Sequence, residues 1–155
     1  MRFILISDSH GNKKGIDKIF KTIKFDYLFF MGDGLSDLDN YVYLDNVISV
    51  SGNCDFFSRE NNEKIITIGN DIIFVTHGNK YGVKSGLEKL KTRIDEIKPK
   101  FAFFGHTHSK HIEEYNGCTI INPGSFSKFF DDNARGVVLE INDNDVKICD
   151  LVINC

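Results

Sequence analysis

Apolar residues in this chain fall into short blocks separated by polar loops. Phe3 to Ile6, Tyr27 to Met31, Val47 to Val50, Ile72 to Val75 and Phe101 to Phe104 are short runs rich in β-branched and aromatic side chains. Runs of that length and content predict strands buried on both faces. Between some of them the period changes. Ile16, Ile19, Phe20 and Ile23, then Leu87, Leu90, Ile94 and Ile97, recur at helical spacing and predict two amphipathic helices. Lys84, Lys89, Lys91, Arg93 and Lys98 lie off the second apolar stripe and are read as a solvated face.

Beyond Gly105 the pattern becomes strand and turn. His111 to Tyr115, Cys118 to Ile121, Gly136 to Ile141 and Val146 to Ile153 read as strands, with Asn116-Gly117 as a tight hairpin turn. Alternating strand and helix followed by an apparent antiparallel meander predicts a layered α/β fold. No linker, repeat or low-complexity segment interrupts it, so residues 1–155 are expected to form one domain.

Composition narrows the function classes. The chain is 41% hydrophobic and 26% charged, with no apolar run long enough to span a membrane. The first apolar run meets Ser7-Asp8-Ser9-His10 too early to be a signal-peptide core, which predicts a cytoplasmic protein. A net charge of −3 and the lack of a basic stripe give no reason to expect a nucleic-acid or membrane partner. Any anionic substrate must then be attracted locally. Cys54, Cys118, Cys149 and Cys155 form no C-x-x-C pair and suggest neither a zinc finger nor a disulfide framework.

Polar residues of one chemical kind follow the apolar blocks. Ile4-Leu5-Ile6 leads to Asp8-Ser9-His10-Gly11-Asn12, Phe29-Phe30-Met31 to Gly32-Asp33-Gly34, and Ile48-Ser49-Val50 to Gly52-Asn53-Cys54-Asp55. Phe74-Val75 runs into Thr76-His77-Gly78, and Phe103-Phe104 into Gly105-His106-Thr107-His108. Loops leaving the C-terminal ends of parallel strands converge on one crevice. Imidazole nitrogen mixed with carboxylate and amide oxygen suits first-row transition ions such as Mn, Fe, Co, Ni or Zn. Taken alone, Asp-x-His or Gly-Asp-Gly reads as turn or capping chemistry, and His77 as a core histidine. His106 and His108, alternating on an extended segment, are expected to point the same way and share an ion. His111 lacks such a setting and is read as surface or as support.

In order, the motifs D-S-H-G-N, G-D-G, G-N-C-D, T-H-G, G-H-T-H and N-P-G-S resemble the calcineurin-like metallophosphoesterase superfamily, and within it the small bacterial and archaeal YfcE-type phosphodiesterases. The resemblance runs from about Arg2 to Ile141. It implies a two-sheet α/β/β/α sandwich and a site for two divalent transition-metal ions, Mn foremost and Ni, Co, Fe or Zn as alternatives. One ion would be held by Asp8, His10, Asp33 and His108, the other by Asp33, Asn53, His77 and His106. Asp33 would bridge them, and Asp33, Asn53 and His77 would take part in catalysis. Asn12, Asn122 and Ser125 would support the ligand loops without binding metal.

The implied reaction is hydrolysis of a phosphate ester, preferably a diester, by a water that the two ions activate. Larger relatives carry histidine where Cys54 stands. Cys54 is expected to pack structurally, which leaves the proton donor unassigned and predicts a preference for good leaving groups. Phe56-Phe57 and Phe126 to Phe130 are expected at a pocket rim, in the core or against another subunit. The competing expectations are a phosphomonoesterase or protein phosphatase with the same ions, and a non-catalytic interaction scaffold like the retromer subunit of this fold. Homo-oligomerisation stays open.

Overall fold

The computed structural model describes residues 1–128, 133–142 and 145–154. Among them the strands and α-helices run β1 (Arg2–Ile6), α1 (Lys13–Thr22), β2 (Tyr27–Phe30), β3 (Val47–Ser49), β4 (Glu63–Ile68), β5 (Asp71–Thr76), α2 (Glu88–Ile97), β6 (Phe101–Phe103), β7 (Lys110–Tyr115), β8 (Cys118–Pro123), β9 (Asn133–Asn142) and β10 (Asp145–Asn154). One sheet has the order β10-β9-β1-β2-β3 and the other β4-β5-β6-β8-β7.

Strand alternation builds the layers. Phe3, Leu5, Phe29 and Met31 face Ile73, Val75, Phe101 and Phe103 between the sheets. Their neighbours point the other way: Ile4, Ile6, Leu28 and Phe30 pack on Ile16 and Ile19 of α1, while Phe74, Ala102 and Phe104 pack on Leu90 and Ile94 of α2. Strands with both faces covered must be apolar throughout, which is why the runs are continuous. The result is the expected α/β/β/α sandwich. Asn12 caps α1, its side chain accepting from the Gly15 N–H at 3.1 Å. Among the described residues, no helix is long and apolar enough to cross a membrane.

Two features differ from the sequence reading. β4 was hidden because Glu63-Lys64 and Thr67 break its isoleucines into no apolar block, as suits an edge strand with Ile65 exposed. The expected meander is divided: β7 and β8 pair as a hairpin in one sheet, β9 and β10 in the other. Hairpin chemistry is local, whereas sheet membership is decided by partners far along the chain. The Asn116-Gly117 turn joins β7 to β8, with φ of 48° and 81° as a two-residue turn of this kind requires.

The topology aligns strand ends. β1, β2 and β3 are parallel, as are β5, β6 and β8, so the C-terminal ends of these six strands and the loops after them carry the candidate ligands and the N-P-G-S segment.

Candidate metal centre

The ligand loops turn sharply as they leave the strands. Asp8, His10, Asp33, His106 and His108 have φ of 53°, 42°, 58°, 68° and 59°. The left-handed region costs a non-glycine residue about 1–2 kcal/mol. Among the other described non-glycine residues only Lys98 and Asn116 share it. The turn at His106 and His108 also corrects the expectation that an extended segment lets them share an ion, because their side chains enter different groups.

Two clusters of donors result, and within each the ligand atoms lie within 4.8 Å of one another. Asp8, His10 and His108 form the first. His108 Nε2 lies 3.3 Å from His10 Nε2 and 3.1 Å from Asp8 Oδ1. Asp33, His77 and His106 form the second. His77 Nε2 lies 3.4 Å from Asp33 Oδ2, 3.1 Å from Asn53 Oδ1 and 3.2 Å from His106 Nδ1. All seven expected ligands are therefore assembled at the sheet ends.

Their arrangement fits cations. Asp8 is fully buried, yet its Oδ1 receives no well-aligned hydrogen bond and faces only the ring nitrogen of His108 at 3.1 Å. A buried carboxylate oxygen without a donor is costly unless a positive charge faces it. At the second cluster one proton on His77 Nε2 cannot serve Asn53, Asp33 and His106 together. Met31 O accepts from His77 Nδ1 at 2.5 Å. A carbonyl can only accept, so a proton sits on Nδ1, which leaves Nε2 as the atom that faces Asp33, Asn53 and His106, as a proton carrier or as a lone pair for an ion.

Electrostatics agree. Burial would raise the Asp33 carboxyl, but the His77 hydrogen bond and the Cys54 N–H outweigh it and hold the group well below the usual carboxylate range. Burial would lower His77, but the Asp33 hydrogen bond, Asp8 and the Met31 carbonyl raise it. His106 is lowered, first by burial and then by the charge of a protonated His77. Asp33 thus stays ionised and draws a proton onto His77, the positive charge that a cation would replace.

Supporting residues explain how the loops hold. Asn122 Nδ2 donates to Gly105 O at 2.8 Å and Thr107 Oγ1 at 3.0 Å, and Ser125 Oγ to Asp8 O at 3.0 Å. Asn12 Nδ2 donates to Phe126 O at 2.8 Å, and Phe126 is buried against α1, while Phe129 and Phe130 lie outside the described residues. Glycine is required at Gly52 and Gly105, where a Cβ would stand 2.1 Å from Asp33 Oδ1 and 1.9 Å from Ser7 Oγ. His111 is away from both clusters and contacts Glu113 at 3.1 Å.

Three supports were missed in the sequence. Asp55 accepts from the backbone N–H groups of Asp33, Gly34 and Leu35, each at 2.9 Å, and of Gly52 at 2.8 Å, tying the loops after β2 and β3 together. Asp37 accepts from Ser9 Oγ at 2.6 Å and Gly11 N at 2.8 Å, and Ser7 Oγ donates to Asp8. An aspartate near a glycine just past a strand was the available signal, shared with ordinary turns. Cys54 needs a correction. It is exposed, not packed. Partial desolvation, then the charges of Asp33, Asp55 and Asp8, push its thiol above the ordinary range.

With donors and supports placed, comparison with known proteins is decisive for the family. The model of the calcineurin-like phosphoesterase superfamily domain matches residues 1–144. The chain belongs to this superfamily. Among superfamily relatives, the probable metallophosphoesterase YsnB of Bacillus subtilis (strain 168) is 34% identical over 126 residues, which cover 81% of this chain and 75% of YsnB. A predicted phosphoesterase from Streptococcus pneumoniae TIGR4 has the same fold, with a TM-score of 0.86 at 24% identity over 97% of this chain and 88% of its own. The phosphoesterase Yfce of E. coli gives 0.66 at 21% over 99% and 100%. Vps29 of Entamoeba histolytica, solved with Zn²⁺, gives 0.72 at 22% over 98% and 99%. The superfamily's chemistry is hydrolysis of phosphoric esters with divalent metal ions, and the two donor clusters are candidate places for such ions.

Proposed function

We propose that the chain is a metal-dependent phosphodiesterase with two ions, one at Asp8, His10 and His108 and the other at Asn53, His77 and His106, with Asp33 between them. The observation that carries this reading is the pair of adjacent donor clusters, one of which leaves a buried carboxylate oxygen without a well-aligned hydrogen bond. Divalent ions bound there supply an activated water and neutralise charge on the phosphoryl oxygens.

The chain's own residues supply position and charge. Met31 O fixes the His77 ring, and the Cys54 N–H, 2.7 Å from Asp33 Oδ1, fixes that carboxylate. Asn53 contributes a neutral oxygen, so the ligand set carries only two carboxylates and keeps the positive charge that an anionic ester needs. Lys13, Lys14 and Lys128 line a cleft that includes His10, which gives the overall acidic chain the local attraction it requires. Cys54 places no histidine at the position after Asn53, which favours esters whose leaving group departs without a proton.

Metal-free protein reconstituted with Mn, Ni, Co, Zn or Mg is expected to hydrolyse activated aryl phosphodiesters, with Mn foremost, and aryl diesters faster than alkyl ones. Paired mono- and diester assays check both statements. Measured metal occupancy without hydrolysis by any ion would defeat the enzyme and favour an interaction scaffold, the reading that likeness to Vps29 keeps open. Equal rates for aryl and alkyl leaving groups would remove the leaving-group preference, and faster monoester turnover would remove the diester assignment.

A further inference from the structure

Among the described residues the phenylalanines are buried or half-buried with one local exception, and of the tyrosines only Tyr43 is exposed. Phe57 is wholly exposed and Phe56 is 81% exposed, and no other phenylalanine among the described residues is exposed. Both follow Asp55, whose carboxylate is fixed on four backbone N–H groups, and Ser58 N closes the turn on Asp55 O at 3.0 Å. An anchored turn that presents two rings to solvent gives up apolar burial that the fold could otherwise use.

The rings border a cleft of about 520 Å³ that they share with Cys54, Leu35 and Val42. That volume suits one small organic group. Cys54 joins the cleft to the donor clusters, because its N–H binds Asp33 and its neighbour Asn53 faces His77. In the sheet order, β3, which leads to the phenylalanines, lies on one side of β2, and β1, which leads to His10 and the lysine-lined cleft, on the other. The charged residues lining the aromatic cleft are Asp39, Asp55 and Glu60, without a cation. Anionic groups are thus drawn to the lysine side and turned away from the aromatic side. A second copy of the chain meeting this face about a two-fold axis would set the same carboxylates against themselves, so the cleft suits a small neutral group.

We infer that the Phe56–Phe57 cleft is a specificity subsite for a neutral planar group esterified to the phosphate, such as an aryl ring or a nucleobase-bearing alcohol. This rests on the phosphoesterase reading of the donor clusters. The planar group stacks on the rings while the phosphate stays at the metal ligands, so the substrate class is a phosphodiester with at least one aromatic arm.

The test uses phenylphosphonate, methylphosphonate and inorganic phosphate as probes of the full-length, Mn-reconstituted protein by titration calorimetry. Phenylphosphonate is expected to bind about tenfold tighter than methylphosphonate, a gap of about 1.4 kcal/mol. In Phe56→Ser and Phe57→Ser that gap is expected to close. Equal binding of the two phosphonates by wild type, or a gap that survives both substitutions, overturns the subsite while leaving phosphate binding and hydrolysis intact. Failure of wild type to bind all three anions or to hydrolyse bis(p-nitrophenyl) phosphate overturns the underlying reading, and the subsite with it. A change from dimer to monomer in Phe57→Ser by sedimentation, with the gap unchanged, overturns it in favour of a contact between copies.

Discussion

Asp33→Asn is expected to lower phosphodiester hydrolysis on the order of 10²–10³-fold, the size of effect seen when one preorganised electrostatic group is removed from an active site, and to reduce bound metal. The substitution is nearly isosteric. Its amide oxygen can still accept from Cys54 N, and asparagine is among the residues that best tolerate the left-handed backbone present at φ 58°. What disappears is one buried negative charge, the charge that pairs with His77. Metal content of the reconstituted variant, measured beside kcat, separates lost binding from lost chemistry. Undiminished metal and activity would sink the placement of Asp33 between the two ions.

Asp55→Asn should damage the site from behind. The carboxylate receives four N–H groups, two on each oxygen, and an amide keeps only one acceptor oxygen. Each backbone donor left without a partner costs about 1–3 kcal/mol where it is shielded from water. A chain of this size loses about 2–4 °C of Tm per kcal/mol, so the two orphaned donors are expected to lower Tm by about 5–20 °C. Metal affinity should weaken by about 10–100-fold, because the loops carrying Asp33 and Asn53 lose their shared anchor. Asp39→Asn is the control, an exposed carboxylate outside the clamp. Equal Tm and metal affinity in wild type and Asp55→Asn would show that the four bonds hold nothing that matters.

The difference between Asp33 and Asp55 shows what a sequence displays and what it hides. Asp33 stands between glycines directly after an apolar run and belongs to a set of similar residues after other runs, so its role could be read from the pattern. Asp55 sits two residues beyond Asn53 and uses only backbone partners, which have no letter in the sequence. The same reason hid Met31, whose carbonyl rather than its side chain orients His77. From spacing alone His106 and His108 were legible as ligands but not as members of separate clusters, because their separation depends on local turns that residue type does not specify; only the family resemblance divided them. Layers and parallel strands were visible in the continuous apolar runs. The edge strand β4 and the assignment of the last two hairpins were not, since half-exposed strands carry mixed composition and hairpin sequences do not name the sheet they join.

The left-handed backbone at Asp8, His10, Asp33, His106 and His108 sets function against durability. Glycine at His10 or His108 would relax the loop and toughen the empty fold, while deleting the very donor that makes the loop useful. A population of variants screened for heat resistance alone would therefore drift toward sturdy proteins unable to hold ions. Joint screening for metal retention would keep these five turns as they are, and would push stabilising changes outward to the helices and the far edges of the sheets.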